Sequence, residues 1–153
     1  MWRLLAAIAV IAGVAAGIPL GALGAGADPN AKATFIGAIN VSGKQATVRV
    51  RYRCSSGETL WVSAKETKTG ASTTKLTKEG SSKIASAWWQ SHRNKFTCNK
   101  LAHTGKFTID TIERGSKGTL VPGKAWVQFC VTKGHTEKTT VLTLSKSGWV
   151  DVR

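Results

Sequence analysis

The sequence predicts an all-β fold, an antiparallel immunoglobulin-like β-sandwich of seven or eight strands behind an N-terminal signal peptide. Short alternating or apolar runs recur through residues 28–153. Clusters of Gly, Ser, Thr and Asn separate them at the intervals of antiparallel sandwiches. No stretch shows the 3.6-residue periodicity of an amphipathic helix. A closed small barrel is the alternative architecture, and the chain has no internal repeat.

The first strand is expected over Thr34–Val41, with Phe35, Ile39 and Val41 in phase. The turn "NVSGKQ" leads into Ala46–Cys54, "ATVRVRYRC", where Val48, Val50, Tyr52 and Cys54 alternate with Arg49, Arg51 and Arg53. Across Leu60–Glu66, Leu60, Val62 and Ala64 alternate with Trp61, Ser63 and Lys65. The tract 67–83, rich in Thr, Ser, Gly and Lys, reads as a long mobile loop or a flat polar edge hairpin. Further strands are expected over Ile84–Gln90 and Lys106–Arg114. The strongest is Lys124–Thr132, with Ala125, Val127, Phe129 and Val131 on one face and Trp126, Gln128 and Cys130 on the other. Thr139–Ser145 and Trp149–Val152 complete the set.

The N-terminus begins with Arg3, continues as an apolar run from Leu4 to Ile18, and ends in a small-residue tract closing Ala25-Gly26-Ala27. That is the layout of a secretory signal peptide with an A-x-A cleavage site. The competing reading is an uncleaved N-terminal membrane anchor. The run is about 15 residues long before Pro19, against the roughly 20 that span a bilayer. Two segments follow: residues 1–27 as signal peptide and residues 28–153 as a single sandwich domain. Removing Arg3 from 22 Lys and Arg leaves 21, which with 8 acids gives the exported part a net charge of +13. Such an excess favours anionic partners. Export argues against nucleic acid as a physiological partner.

Cys54, Cys98 and Cys130 all lie in the exported part, where a disulfide is the default state. Cys54 shares its face with Val48, Val50 and Tyr52, so its sulfur points to the core. Cys130 has the opposite phase to the apolar side of its own strand. Phase therefore favours Cys54 with Cys98 and leaves Cys130 as a free outward thiol, a route to a disulfide-linked dimer of an otherwise monomeric chain. Cys54 with Cys130 remains the alternative, through a bulge that changes face. A crosslink closing a loop of this length contributes roughly 3–4 kcal/mol in the chain-entropy picture. No CxxC or clustered Cys/His pair points to a metal, and no cofactor motif is present.

Three stretches, "VRVRYRCSSGETLWVSAKET", "FTCNKLAHTGKFTID" and "LVPGKAWVQFCVT", together resemble a family of small exported actinobacterial proteins of unknown function. The resemblance covers roughly residues 33–133. It implies a β-sandwich with Cys54 paired to Cys98, and it implies no activity. Cys130 departs from the two-cysteine pattern.

Catalytic chemistry finds little support. Glycoside hydrolysis needs two carboxylates flanking a cleft. The only near pair is Asp110 with Glu113, which three apart on a strand would face opposite sides. His92, His103 and His135 sit in turn-like segments without a nucleophile signature. No GxSxG, P-loop or HExxH occurs. The chain is read as a non-enzyme.

Binding is the better-supported class. Arg49, Arg51 and Arg53 form a row on one strand face, about 6–7 Å apart. Trp61, Lys65, Trp88 or Trp89, and Trp126 are the matching outward aromatic and basic positions. Aromatic faces near cations suit sugar rings, lipid interfaces or stacked bases. The structural alternative is a solvated arginine face that guards a sheet edge, with tryptophans in the core. The expected function is a secreted binding protein contacting an anionic surface: cell-wall polymer, polysaccharide or lipid headgroups, the last as a peripheral membrane contact. A second expectation is an inhibitor or effector whose loops 67–83 or 115–123 dock on another protein. A small enzyme or toxin is the third.

Overall fold

The computed structural model describes residues 28–134 and 136–153. The expected signal peptide and His135 lie outside them. Eight strands run through the described residues: β1 (Lys32–Phe35), β2 (Asn40–Ser42), β3 (Gln45–Arg53), β4 (Thr59–Glu66), β5 (Ala87–Ser91), β6 (Ala102–Asp110), β7 (Gly123–Lys133) and β8 (Val141–Val152). Every strand-to-strand pairing in the sheet is antiparallel, in the order β1-β3-β6-β5-β4-β7-β8, with β2 also on β3. The all-β antiparallel sandwich is the fold the alternation predicts.

The sheet folds on itself into two layers. β1, β2, β3 and β6 form one, and β5, β4, β7 and β8 form the other. At one side the layers are joined by a single residue pair, Gln90 with Asp110. At the other, Ile39 runs parallel to Val152, and its N–H donates to the Asp151 carbonyl at 2.7 Å. The sandwich is thus nearly a flattened barrel, close to the alternative architecture.

Period-two alternation decides what lies between the layers. Val48, Val50 and Tyr52 from β3 and Phe107 and Ile109 from β6 face Leu60, Val62, Ala64, Val127, Phe129 and Val131 from β4 and β7, all of them buried. Phe129 touches both opposing aromatics, with ring centroids 5.5 Å from Tyr52 and 5.2 Å from Phe107. Fully burying side chains of this size stabilises the fold by about 1.5–3 kcal/mol each. Cys54 and Cys98, 44 residues apart, are joined by a disulfide at the edge of this core.

Four expectations are corrected. Thr34–Val41 is two strands, because Gly37 takes a φ of 68° and turns the chain between β1 and β2. Thr139–Ser145 and Trp149–Val152 are parts of one strand, β8, which carries a register shift opposite Val131/Thr132. The strand expected from Ile84 begins only at Ala87, and Ile84 is exposed. Residues 67–83 form no edge hairpin. They hold two 3-10 turns, Thr74–Thr77 and Ser81–Lys83, with Leu76 and Ser81 buried. The segment 115–123 is pinned as well. Lys117 exchanges backbone hydrogen bonds with Trp88, and Leu120 is buried.

Candidate functional site

The outer face of the first layer is basic. β3 lies between β1 and β6, and alternation sends Arg49, Arg51 and Arg53 to the side opposite Val48, Val50 and Tyr52. Register places Lys106 beside Arg49, Thr34 and Thr104 beside Arg51, and Lys32 and Ala102 beside Arg53. Arg49 and Arg51 are exposed and Arg53 is half-buried, its Nε covered and without a hydrogen-bond partner. A groove of about 580 Å³ runs over this end, lined by Lys32, Arg51, Arg53 and Lys100 with no carboxylate. Lys100 is held there by its N–H, which donates to the Cys54 carbonyl at 2.9 Å beside the disulfide.

The outer face of the second layer is aromatic and amide-bearing. Pairing of β5, β4, β7 and β8 aligns Trp88, Lys65, Trp126 and Trp149 in one row and Gln90, Ser63, Gln128 and Ser147 in the next. A third row holds Trp61, Cys130 and Ser145. Trp126 and Trp149 meet edge to face with centroids 5.4 Å apart. The Trp61 indole N–H donates to Gln90 Oε1 at 2.8 Å, its ring stacks on His92, and the Gln90 amide donates to the Arg114 carbonyl.

The structure therefore does not bring the arginine row and the tryptophans together. They occupy opposite outer faces. Trp89 belongs to neither, since it is buried in the core and its indole N–H donates to the Gly118 carbonyl at 3.0 Å. The outward member of the Trp88/Trp89 pair is Trp88. Lys65 is on the outer face but buried under the Ser81–Lys83 turn, and its ammonium donates to Ser81 Oγ at 2.8 Å. Burial holds its pKa below the ordinary lysine range, with the neighbouring Cys130 acting in the opposite sense. Cys130 is on the outer face as its phase requires, yet it is buried and free. Burial raises its pKa, against the opposing effects of Ser145 and Lys65. A disulfide-linked dimer through Cys130 would require the covering side chains to open.

Asp110 and Glu113 do come together, contrary to the reading that they face opposite sides. β6 ends at Asp110, and the turn brings Glu113 back to the same cluster. Arg93 pairs with both carboxylates, and His92 Nδ1 lies 3.0 Å from Glu113 Oε1. Burial opposes ionisation of Asp110, but the Ile112 N–H and Arg93 outweigh it and lower its pKa. Glu113 is also lowered, His92 and Arg93 overcoming burial. Both carboxylates are thus held ionised and ion-paired, which suits a tie between β5 and β6 rather than a general acid. Among the described residues no three His, Cys, Asp or Glu side chains are placed to hold a metal ion. No helix among them is long and apolar enough to cross a membrane.

Sequence reasoning missed Lys32, Lys100 and Lys106 on the basic face, and Gln90, Gln128 and Trp149 on the aromatic one. Gln128 and Trp149 did carry a signal, since each is in outward phase with its strand. Their neighbours become visible only once strand register is known.

No protein-family model and no curated protein matches the chain. Among solved structures, the chain is similar to the C-terminal domain of Wzt, at 12% identity and a TM-score of 0.35 over 84% of this chain and 81% of that one. That likeness is too distant to carry a functional argument.

Proposed function

We propose that the protein is an exported, non-enzymatic binding module whose basic outer face holds an anionic polymer of the cell envelope. The observation that carries this reading is the groove at the end of β3, where Lys32, Arg51, Arg53 and Lys100 converge with no acid among them. Arg49 and Lys106 extend the same positive face along the sheet. A row of cations at strand spacing, about 6–7 Å, matches repeated phosphate or carboxylate groups better than one small anion. Arginine's planar fork suits either group. The disulfide fits an oxidising compartment, and the signal-peptide reading fits export.

The test is retention on purified cell envelope and on soluble polyglycerol phosphate at low and high ionic strength. Binding through this face weakens steeply as salt screens it. The double variant Arg51→Glu/Arg53→Glu is expected to abolish retention while remaining folded. Equal retention in both buffers, or none in either, would overturn the reading. Binding to anionic lipid vesicles but not to the polymer would replace the partner with a membrane surface.

A further inference from the structure

A cleft of about 190 Å³ opens on the outer face of the second layer. Trp61 and Trp88 form its walls, and Lys65 and Gln128 lie at the sheet. Glu79, Gly80 and Ser82 cover it from the segment carrying the second 3-10 turn. Gln128 is 6% exposed, and it lines the cleft. Next to it in the sheet, the Ser63 hydroxyl is buried without a partner. Buried polar groups are ordinarily hydrogen-bonded, and an unmatched one calls for an explanation.

The chemistry of the lining selects the occupant. Indole faces favour a flat apolar surface such as the C–H face of a sugar. A carboxamide both donates and accepts, which matches a hydroxyl. The Lys65 ammonium at the cleft disfavours a cation. Glu79 at the rim disfavours an anion, and the Lys65 ammonium is already engaged by Ser81. From this geometry we infer that the cleft takes one neutral pyranose ring of a glycan, stacked on tryptophan and hydrogen-bonded to the Gln128 amide. The Trp126–Trp149 pair continues the row beyond Lys65 and offers an apolar shelf to the adjoining sugar. This site lies on the opposite outer face from the basic groove and does not depend on it.

The experiment is a titration of the full folded domain with neutral gluco-, xylo-, manno- and N-acetylglucosamine oligosaccharides, read by tryptophan fluorescence. At least one is expected to give a saturable change that is insensitive to salt. Gln128→Leu removes the hydrogen-bonding group at nearly constant shape and should weaken binding about tenfold. Trp88→Ala should weaken it further. Arg51→Glu/Arg53→Glu should leave it unchanged. The inference is overturned if no neutral oligosaccharide gives saturation, if folded Gln128→Leu binds as the parent does, or if binding is lost with salt and with the arginine variant. Should Trp88→Ala not fold, the Gln128 variant decides alone.

Discussion

Lys65 and Ser81 form the tie that closes the outer face of the second layer. The buried ammonium donates to the Ser81 hydroxyl, and that hydroxyl in turn donates to the Leu76 carbonyl at 2.8 Å. One serine thus satisfies a buried cation from the sheet and a backbone carbonyl from the first 3-10 turn. Ser81→Ala removes both bonds and strands the cation. The expected cost is about 1–3 kcal/mol, read as a lower urea midpoint. Faster amide exchange confined to residues 73–84 would show that the loss is local. A stability unchanged within experimental error would mean that the covering segment rests on Leu76 alone.

Glu66 gives a prediction of opposite sign. It is fully buried at the end of β4 and accepts from the Val121 N–H at 2.7 Å, while its Oε1 has no partner. Burial raises its pKa more than the Val121 bond lowers it. A raised folded-state pKa contributes stability that is fully present below the ordinary glutamate value of about 4.3 and is lost as pH rises through the folded value. At neutral pH this buried carboxyl group is therefore a burden on the fold relative to the unfolded chain. Glu66→Gln keeps an oxygen for Val121 and is expected to gain on the order of 1 kcal/mol at neutral pH. The gain should shrink as the medium is acidified. Melting curves across that range measure it, and a variant less stable than the parent at neutral pH would sink the assignment.

These two residues also show what could be read from the chain. The inward phase of Val48, Val50, Tyr52 and Cys54, and the outward phase of Trp126, Gln128 and Cys130, follow from the period of two that strand geometry imposes. Those assignments need no knowledge of neighbours. Lys65 was legible as outward but not as buried, because its cover comes from a polar tract whose one apolar anchor is Leu76. Composition describes such a tract as solvent-exposed, whereas an ammonium on a sheet face attracts hydroxyls to cover it. The row Trp88–Lys65–Trp126–Trp149 joins four strands distant in sequence. It is a product of register, which no single strand encodes. The Asp110–Glu113 cluster was misread for a simpler reason, since β6 stops at Asp110 and strand alternation no longer applies.

The cysteines divide into one crosslink and one protected thiol. The Cys54–Cys98 bridge closes a separation of 44 residues, so its reduction should cost roughly 3–4 kcal/mol. Cys130 is 8% exposed with a raised pKa, and thiolate is the reactive form. The native protein is expected to resist a thiol reagent for as long as it stays folded. In denaturant without reductant, one thiol should label and no more. Non-reducing mass measurement of the folded protein should show a monomer two hydrogens lighter than the fully reduced chain. Rapid labelling of the native state, or a covalent dimer, would contradict the burial of Cys130.

Lys100 separates the requirements of folding from those of binding. Its φ of 68° puts a residue with a Cβ in the left-handed region, where the described chain otherwise places glycine. That conformation costs about 1–2 kcal/mol for an ordinary L-residue. Its N–H to the Cys54 carbonyl needs only backbone, so glycine would serve the turn better. The side chain at this position lines the basic groove with Arg51 and Arg53, and the proposed function supplies a reason for retaining a lysine there. Lys100→Gly is therefore expected to raise stability by about 1 kcal/mol and to weaken retention on polyglycerol phosphate by up to about fivefold. Denaturation and low-salt retention measured on one preparation read both effects. A variant that gains stability and binds as before would remove Lys100 from the groove. One that loses stability would show that the lysine stem packs against the fold more than its backbone strains it.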